Sequence, residues 1–214
     1  MTNDTLTRIN NLIEVINVLI AQDEFKGYKA SPLLKEIVDD LQKYDREDEE
    51  SLEFRFSTFN FVADTYKRMC RFSLSAKYHE SALDVSLILF NKYQIILKDL
   101  DALFLNILRE RNHYIDDNCE DVLAKITPLL EPEVIKKIYG EVMNRRRNLK
   151  ADPIEMSEEY LAVIDEVEEK IDENRTMFGM GACFEIWNLK AHFLAEKGIN
   201  WSSPAALNPR VMFD

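Results

Sequence analysis

Glu110-Arg-Asn-His113 sets a carboxylate and an imidazole three residues apart, a spacing that brings both to one face of a helix. Helical di-iron bundles use such a pair, but they need a second Glu-x-x-His and two further carboxylates. Neither His79 nor His192 follows a Glu at that distance. Asp117, beyond His113, would offer zinc a second helix ligand, and the sequence supplies no evident third. The expectation is a polar helix face near a turn, with no metal and no cofactor. Cys183 stands near the start of a helix, a position that reactive thiols use. His192, on the same helix, lies about 13 Å away at 1.5 Å per residue, too far to act as its base. A small buried thiol is the expected reading of Cys183. No phosphate loop, Gly-x-Gly-x-x-Gly or Gly-x-Ser-x-Gly occurs, and no catalytic residue is assigned.

The stretch from Gly179 to Asp214 differs from everything before it. It holds three of the five glycines, both tryptophans and two of the six prolines. Ser203 suits an N-cap and Pro204 a first helical position, while Asn208-Pro209 ends the turn. Trp201, ahead of the cap, reads as a hydrophobic staple. Val211-Met212-Phe213 adds apolar groups at the end. These features predict that residues 198–214 form a tail that folds back and docks. Trp187, Trp201, Cys183 and Phe213 are the candidate interaction or pocket residues. The alternative has Trp201 and Phe213 docking on a partner chain.

Charge is unevenly spread. Lys136, Lys137, Arg145, Arg146, Arg147 and Lys150 make one helix basic. Glu155, Glu158, Glu159, Asp165, Glu166, Glu168, Glu169, Asp172 and Glu173 make the next acidic. The expected arrangement pairs the two as antiparallel neighbours. A net charge of −12 opposes phosphate approach, so no nucleic acid is expected, and it equally disfavours an anionic membrane surface.

The elements that position these residues read as helices. Ile9, Ile13, Ile16 and Ile20 recur at helical spacing from about Asp4 to Gln22, and Leu12 and Leu19 widen the stripe. Ser31-Pro32 starts a second helix, with Ser31 as its cap. Later helices are expected at about Leu52–Phe72 and from Ser73 or Ser75 to Lys98. The next is capped by Asp99 or Asp101 and continues toward Tyr114 and Ile115. Others follow at about Glu120–Thr127, Pro132–Leu149, Ser157–Asn174 and Gly181–Lys197. Asp23–Ala30 and Asp45–Glu50 read as connections. Glycine and proline total only 11 residues, too little turn punctuation for a sheet fold. No apolar run approaches the ~18 residues of a membrane helix. Cys70, Cys119 and Cys183 lack any Cys-x-x-Cys spacing, and Met1-Thr-Asn-Asp-Thr lacks the pattern of a secretion signal, so a cytoplasmic protein is expected. One domain, residues 1–214, is the reading, with Asp152-Pro153 as its best internal break.

Ala63, Tyr66, Phe72, Ala76, Ala82 and Leu83, within residues 52–90, resemble the small and aromatic positions of a tetratricopeptide hairpin. The resemblance covers one period and lacks the closing proline. It implies a protein-binding scaffold. The pattern from Gly181 and Trp187 through Gly198, Trp201, Pro204 and Pro209 to Phe213-Asp214 also resembles the ends of uncharacterised bacterial proteins, which brings no activity with it.

The expectation is therefore an all-α, irregular bundle of eight or nine helices with one tetratricopeptide-like hairpin. Its expected role is a non-catalytic interaction or scaffold protein that binds a protein partner or itself. The alternative is an enzyme or small-ligand-binding protein with a site where the tail meets the bundle. Protein purified without added metal should carry no stoichiometric zinc, iron or manganese. One equivalent or more by elemental analysis, lost in His113→Ala, would overturn the structural reading of Glu110 and His113.

Overall fold

The computed structural model describes residues 3–22, 24–44, 46–114, 119–144 and 149–213, and the side chains of all these except 3, 22, 24–26 and 144. Asp23, Asp45, Ile115, Asp117, the Arg145–Arg147 run and Asp214 lie outside the described residues. Among the described residues the protein is all-α, with no strand. Its helices are α1 (Asn3–Gln22), α2 (Ser31–Lys43), α3 (Glu49–Arg68), α4 (Phe72–Tyr93), α5 (Leu100–Arg111), α6 (Glu120–Ile126), α7 (Pro132–Asn144), α8 (Glu158–Asn174), α9 (Ala182–Glu196) and α10 (Pro204–Leu207). Short 3₁₀ segments occupy Glu24–Lys29 and Pro153–Met156. No described helix is long and apolar enough to cross a membrane.

The chain gathers into two compact units: Met1–Asn112 with Asp116–Asn148, and His113–Ile115 with Leu149–Asp214. The second begins just ahead of the Asp152-Pro153 break. In the first unit, α3 and α4 form an antiparallel hairpin, joined by a turn in which Cys70 takes φ 56°. Phe59 and Tyr66 of α3 both stack on Tyr78 of α4, at 6.4 and 5.7 Å between ring centres. Ala63, Ala76 and Ala82 are buried and let the helices approach closely. On the other side α4 packs against α5 and α6, and α5 against α7. Ile9, Ile16 and Ile20 bury the inner stripe of α1, which packs on α2, whereas Val15 and Val18 remain exposed.

Several caps differ from the sequence reading. Ser31 lies inside α2 behind Ala30, and its Oγ accepts a buried hydrogen bond from the Arg71 guanidinium at 3.0 Å. Arg71 precedes α4, while Ser75 donates to the Ala63 carbonyl of α3 at 2.9 Å. Both hydroxyls hold helices together instead of capping them. Asp99 precedes α5 at φ 64° but makes no side-chain cap. The α4 stretch ends at Gln94, earlier than expected, because Gln94 turns left-handed (φ 57°). Asp48 is the cap the sequence did not single out. It accepts from the Ser51 N–H at 3.1 Å and starts α3 at Glu49.

The second unit follows its sequence signals closely. Ser157 caps α8 by accepting from the Tyr160 N–H at 3.2 Å. Tyr160, Ile164, Val167 and Ile171 then form one buried stripe. Gly198 stops α9 at φ 77°. Its N–H bonds to the Ala195 carbonyl at 2.9 Å, and the Ile199 N–H reaches back to the Leu194 carbonyl at 2.9 Å. That is a Schellman turn, with buried Ile199 and Leu194 making its apolar contact. Glu166 of α8 pairs with Lys197 at 2.7 Å and with Lys170 at 3.2 Å. Ser157→Ala should cost about 1 kcal/mol through loss of the α8 cap, read as a lower urea midpoint. An unchanged midpoint would show that α8 does not depend on its cap.

Candidate functional site

The largest buried contact of the tail is made by Trp201. Trp201 is 7% exposed and joins Tyr160, Ile164, Val167 and Ile171 of α8 and Leu194 and Ile199 in one apolar cluster. A buried indole N–H needs an acceptor. Trp201 Nε1 donates to Glu155 Oε1 at 2.7 Å. Glu155 sits in the 3₁₀ turn before α8 and is itself only 9% exposed. A buried carboxylate needs compensating charge or donors. Lys190 of α9 supplies the charge, 3.2 Å from the same oxygen. The Tyr114 hydroxyl donates to the other oxygen at 3.1 Å. The Lys190 ammonium also lies 4.5 Å from the Trp201 ring centre and 5.3 Å from that of Tyr160. Cation–π attraction therefore adds to the ion pair.

Two polar clamps flank this latch. Asp152 Oδ1 accepts from the Ile154 N–H at 3.0 Å, and its Oδ2 accepts from the Ser202 N–H at 2.7 Å. The Asn208 amide reads the Lys150 peptide on both sides: Oδ1 accepts from its N–H and Nδ2 donates to its carbonyl, each at 2.9 Å. His113 belongs to this unit too. Its ring Nδ1 is 2.6 Å from the Leu149 carbonyl, and its own carbonyl accepts from the Ala151 N–H. A carbonyl only accepts, so Nδ1 carries the hydrogen.

The other candidates are half-buried, and Trp187 also packs on the Trp201 cluster. Trp187 of α9 meets Phe213 edge-on at 5.0 Å and Phe184 edge-on at 5.5 Å. Phe184 is exposed and Cys183 half-buried. Before them the α8–α9 connection presents Phe178 and Met180, 72% and 86% exposed. Glu185 anchors the start of that loop. Its carboxylate accepts from the Thr176 hydroxyl at 2.7 Å and from the Met177 N–H at 2.7 Å, which holds its pKa below the usual carboxylate range. Trp201 lies two residues before the Ser203 cap and is a core anchor, not a staple. Val211 and Met212 are exposed, so the end of the tail docks through Phe213 and not through those side chains.

Glu110 is placed differently from its sequence reading. It is buried against His79, whose Nδ1 lies 2.8 Å from Glu110 Oε2. Nothing local in the sequence links residues on two separate helices. His192 is exposed and 3.4 Å from Glu196 on its own helix. Among the described residues, no group of three or more His, Cys, Asp or Glu is arranged to hold a metal ion. The chain matches no family model, no curated protein and no solved structure.

The Glu155 latch couples the tail to the α8–α9 pair. Trp201→Ala should lower stability by about 3–5 kcal/mol, the range for large aromatic truncations in cores. Trp201→Phe should cost less, since it keeps most of the apolar contact and loses only the indole donor to Glu155. Urea unfolding checks both. A Trp201→Ala protein that unfolds with the wild type would remove the tail from the core.

Proposed function

We propose that this chain is a non-catalytic, intracellular, helical interaction protein, and that its binding face is the apolar surface formed by Phe178, Met180, Phe184, Trp187 and Phe213. The carrying observation is the exposure of Phe178, Met180 and Phe184 within one short stretch of one small unit. Trp201 is buried in the core, while Trp187, half-buried against the same core, meets exposed Phe184 edge-to-face. Exposed aromatic and methionine side chains so close together in sequence are uncommon on monomers and typical of interfaces.

A second copy of this chain is the occupant that the charge pattern favours. Arg175 to Phe184 contains no carboxylate in a chain of net charge −12. Two copies meeting through that stretch bring together a surface poor in carboxylates, with Glu185 beside it already bonded to Thr176 and Met177. A two-fold contact also needs a self-complementary patch, and flexible methionines beside rigid aromatics adapt to their own image. The α3–α4 hairpin supports the same kind of role, since tetratricopeptide-like hairpins imply protein-binding scaffolds. The alternative of an enzyme or ligand site at the tail has less support, because Glu155 and Lys190 are engaged with each other and with Trp201.

Native mass spectrometry and sedimentation at micromolar concentration test this reading. The wild type should be dimeric, and Phe178→Ser with Met180→Ser should shift it to monomer while its helical circular dichroism spectrum is unchanged, because both side chains are largely exposed. A wild type that stays monomeric throughout would overturn self-association through this face.

A further inference from the structure

His79 is 1% exposed and lies between two carboxylates. From α4, its Nδ1 is 2.8 Å from Glu110 Oε2 of α5, and its Nε2 is 3.5 Å from Asp64 Oδ1 of α3. Glu110 is as deeply buried as His79, and its Oε1 has no hydrogen-bond partner. The nearest cation to that oxygen is the Lys67 ammonium of α3 at 3.5 Å, which donates to Asn106 at 2.8 Å. The compensation of the Glu110 charge therefore rests chiefly on the imidazole ring.

A neutral imidazole has one N–H and one lone pair. It can donate to only one of the two carboxylates and must turn its lone pair toward the other. The imidazolium donates to both. We propose that Asp64, His79 and Glu110 form a proton-dependent lock on the α3–α4–α5 packing, closed when His79 is protonated and weakened when it is not.

Two further cations near the cluster have partners of their own. Arg111 of α5 pairs with Asp121 at 2.8 Å and lies 3.6 Å from Glu80 of α4. Lys125 of α6 pairs with Asp84 of α4 at 2.6 Å. The protonation of His79 is thus set mainly by Asp64 and Glu110, opposed by Lys67 of α3, which is 3.5 Å from Glu110, and by the charges of Lys67 and Arg68 acting on Asp64. Burial disfavours the charged ring, but the two carboxylates outweigh it and raise the His79 pKa above its ordinary 6.5. The hydrogen bond to His79 in turn lowers the Asp64 pKa. The signs follow. The His79 contribution is fully present below 6.5 and is lost as pH rises through the raised folded value. The Asp64 contribution is present above its unfolded value and is lost as pH falls through the depressed folded one. The lock is strongest in mildly acidic solution and weakens on the alkaline side.

The test uses the full chain. Urea midpoints of wild type and His79→Gln are measured from mildly acidic to mildly alkaline pH. The wild-type midpoint should fall as pH rises past neutral, and the variant should be less stable at low pH but flat over the same range. Equal slopes would overturn the proposal. Should His79→Gln fail to fold, the histidine Cε1–H resonances of wild type and Asp64→Asn decide the matter. Asp64 is largely exposed, so its variant is expected to fold. His79 should titrate above 6.5 in the wild type and lower in Asp64→Asn. A wild-type His79 titrating at or below 6.5, or one indifferent to Asp64→Asn, removes the lock.

Discussion

Two helices side by side cannot enclose a core. Each has one apolar stripe, and packing the stripes together still leaves their outer edges in water. The unit built on α8 and α9 faces this constraint directly, since among the described residues the rest of it is short 3₁₀ or helical turns and connections. Trp201 meets it by laying a large flat side chain over the stripe of Tyr160, Ile164, Val167 and Ile171. Much else in the unit follows from that placement. The Schellman turn at Gly198 reverses the chain so that Trp201 arrives over α8. Ser203 and Pro204 start the last helical turn just beyond it, and Asn208 ties that turn to Lys150.

The polar groups around Trp201 follow from the same burial. An indole N–H under an apolar cover must find an acceptor, and Glu155 provides one. That carboxylate then needs a cation, and Lys190 reaches it from α9. The ammonium stacks on the very rings whose burial made the carboxylate necessary. Each group answers a cost raised by another, and removing Glu155 takes the acceptor from the buried Trp201 N–H. The first unit solves a related problem differently. Its α3–α4 hairpin has Ala63, Ala76 and Ala82 to allow close approach and stacked Phe59, Tyr66 and Tyr78 to fill the remaining space. It nevertheless buries a carboxylate and an imidazole against each other, which ties its packing to a titratable group.

The sequence carried the helices well because an apolar period of three to four residues survives in almost every segment. The stripe of α8, its Ser157 cap, the Gly198 stop and the Ser203-Pro204 start were all legible. Each is local, and each has a residue type that fits few other roles. Ser31 and Ser75 misled for a physical reason: a hydroxyl near an apolar helix start can serve a tertiary contact as readily as a cap. The end of α4 at Gln94 was hidden because a left-handed residue other than glycine leaves no compositional mark. Glu110 was read with His113 because local spacing was the only guide, whereas its partner His79 comes from another helix. Glu155 looked like one member of an acidic run. The available signal was indirect: a tryptophan expected to dock needs an acceptor, and Glu155 stands beside the break at Asp152-Pro153.

The inward use of Trp201 also sharpens the meaning of exposed Phe178 and Phe184. If the tail served only to complete the core, burial of its apolar groups would suffice, and the exposed side chains near it would be polar. Instead Phe178, Met180 and Phe184 stay exposed while Glu185 fastens the loop that carries the first two. Fixing a loop costs conformational entropy, and fixing it with apolar side chains toward water adds a solvation cost. The Glu185 bonds and the Arg175 guanidinium, 4.8 Å from the Phe178 ring centre, offset part of these costs, while Met180 and Phe184 stay exposed to water. An arrangement of that kind is favourable when another surface covers it, because the loop's entropy has already been spent before binding.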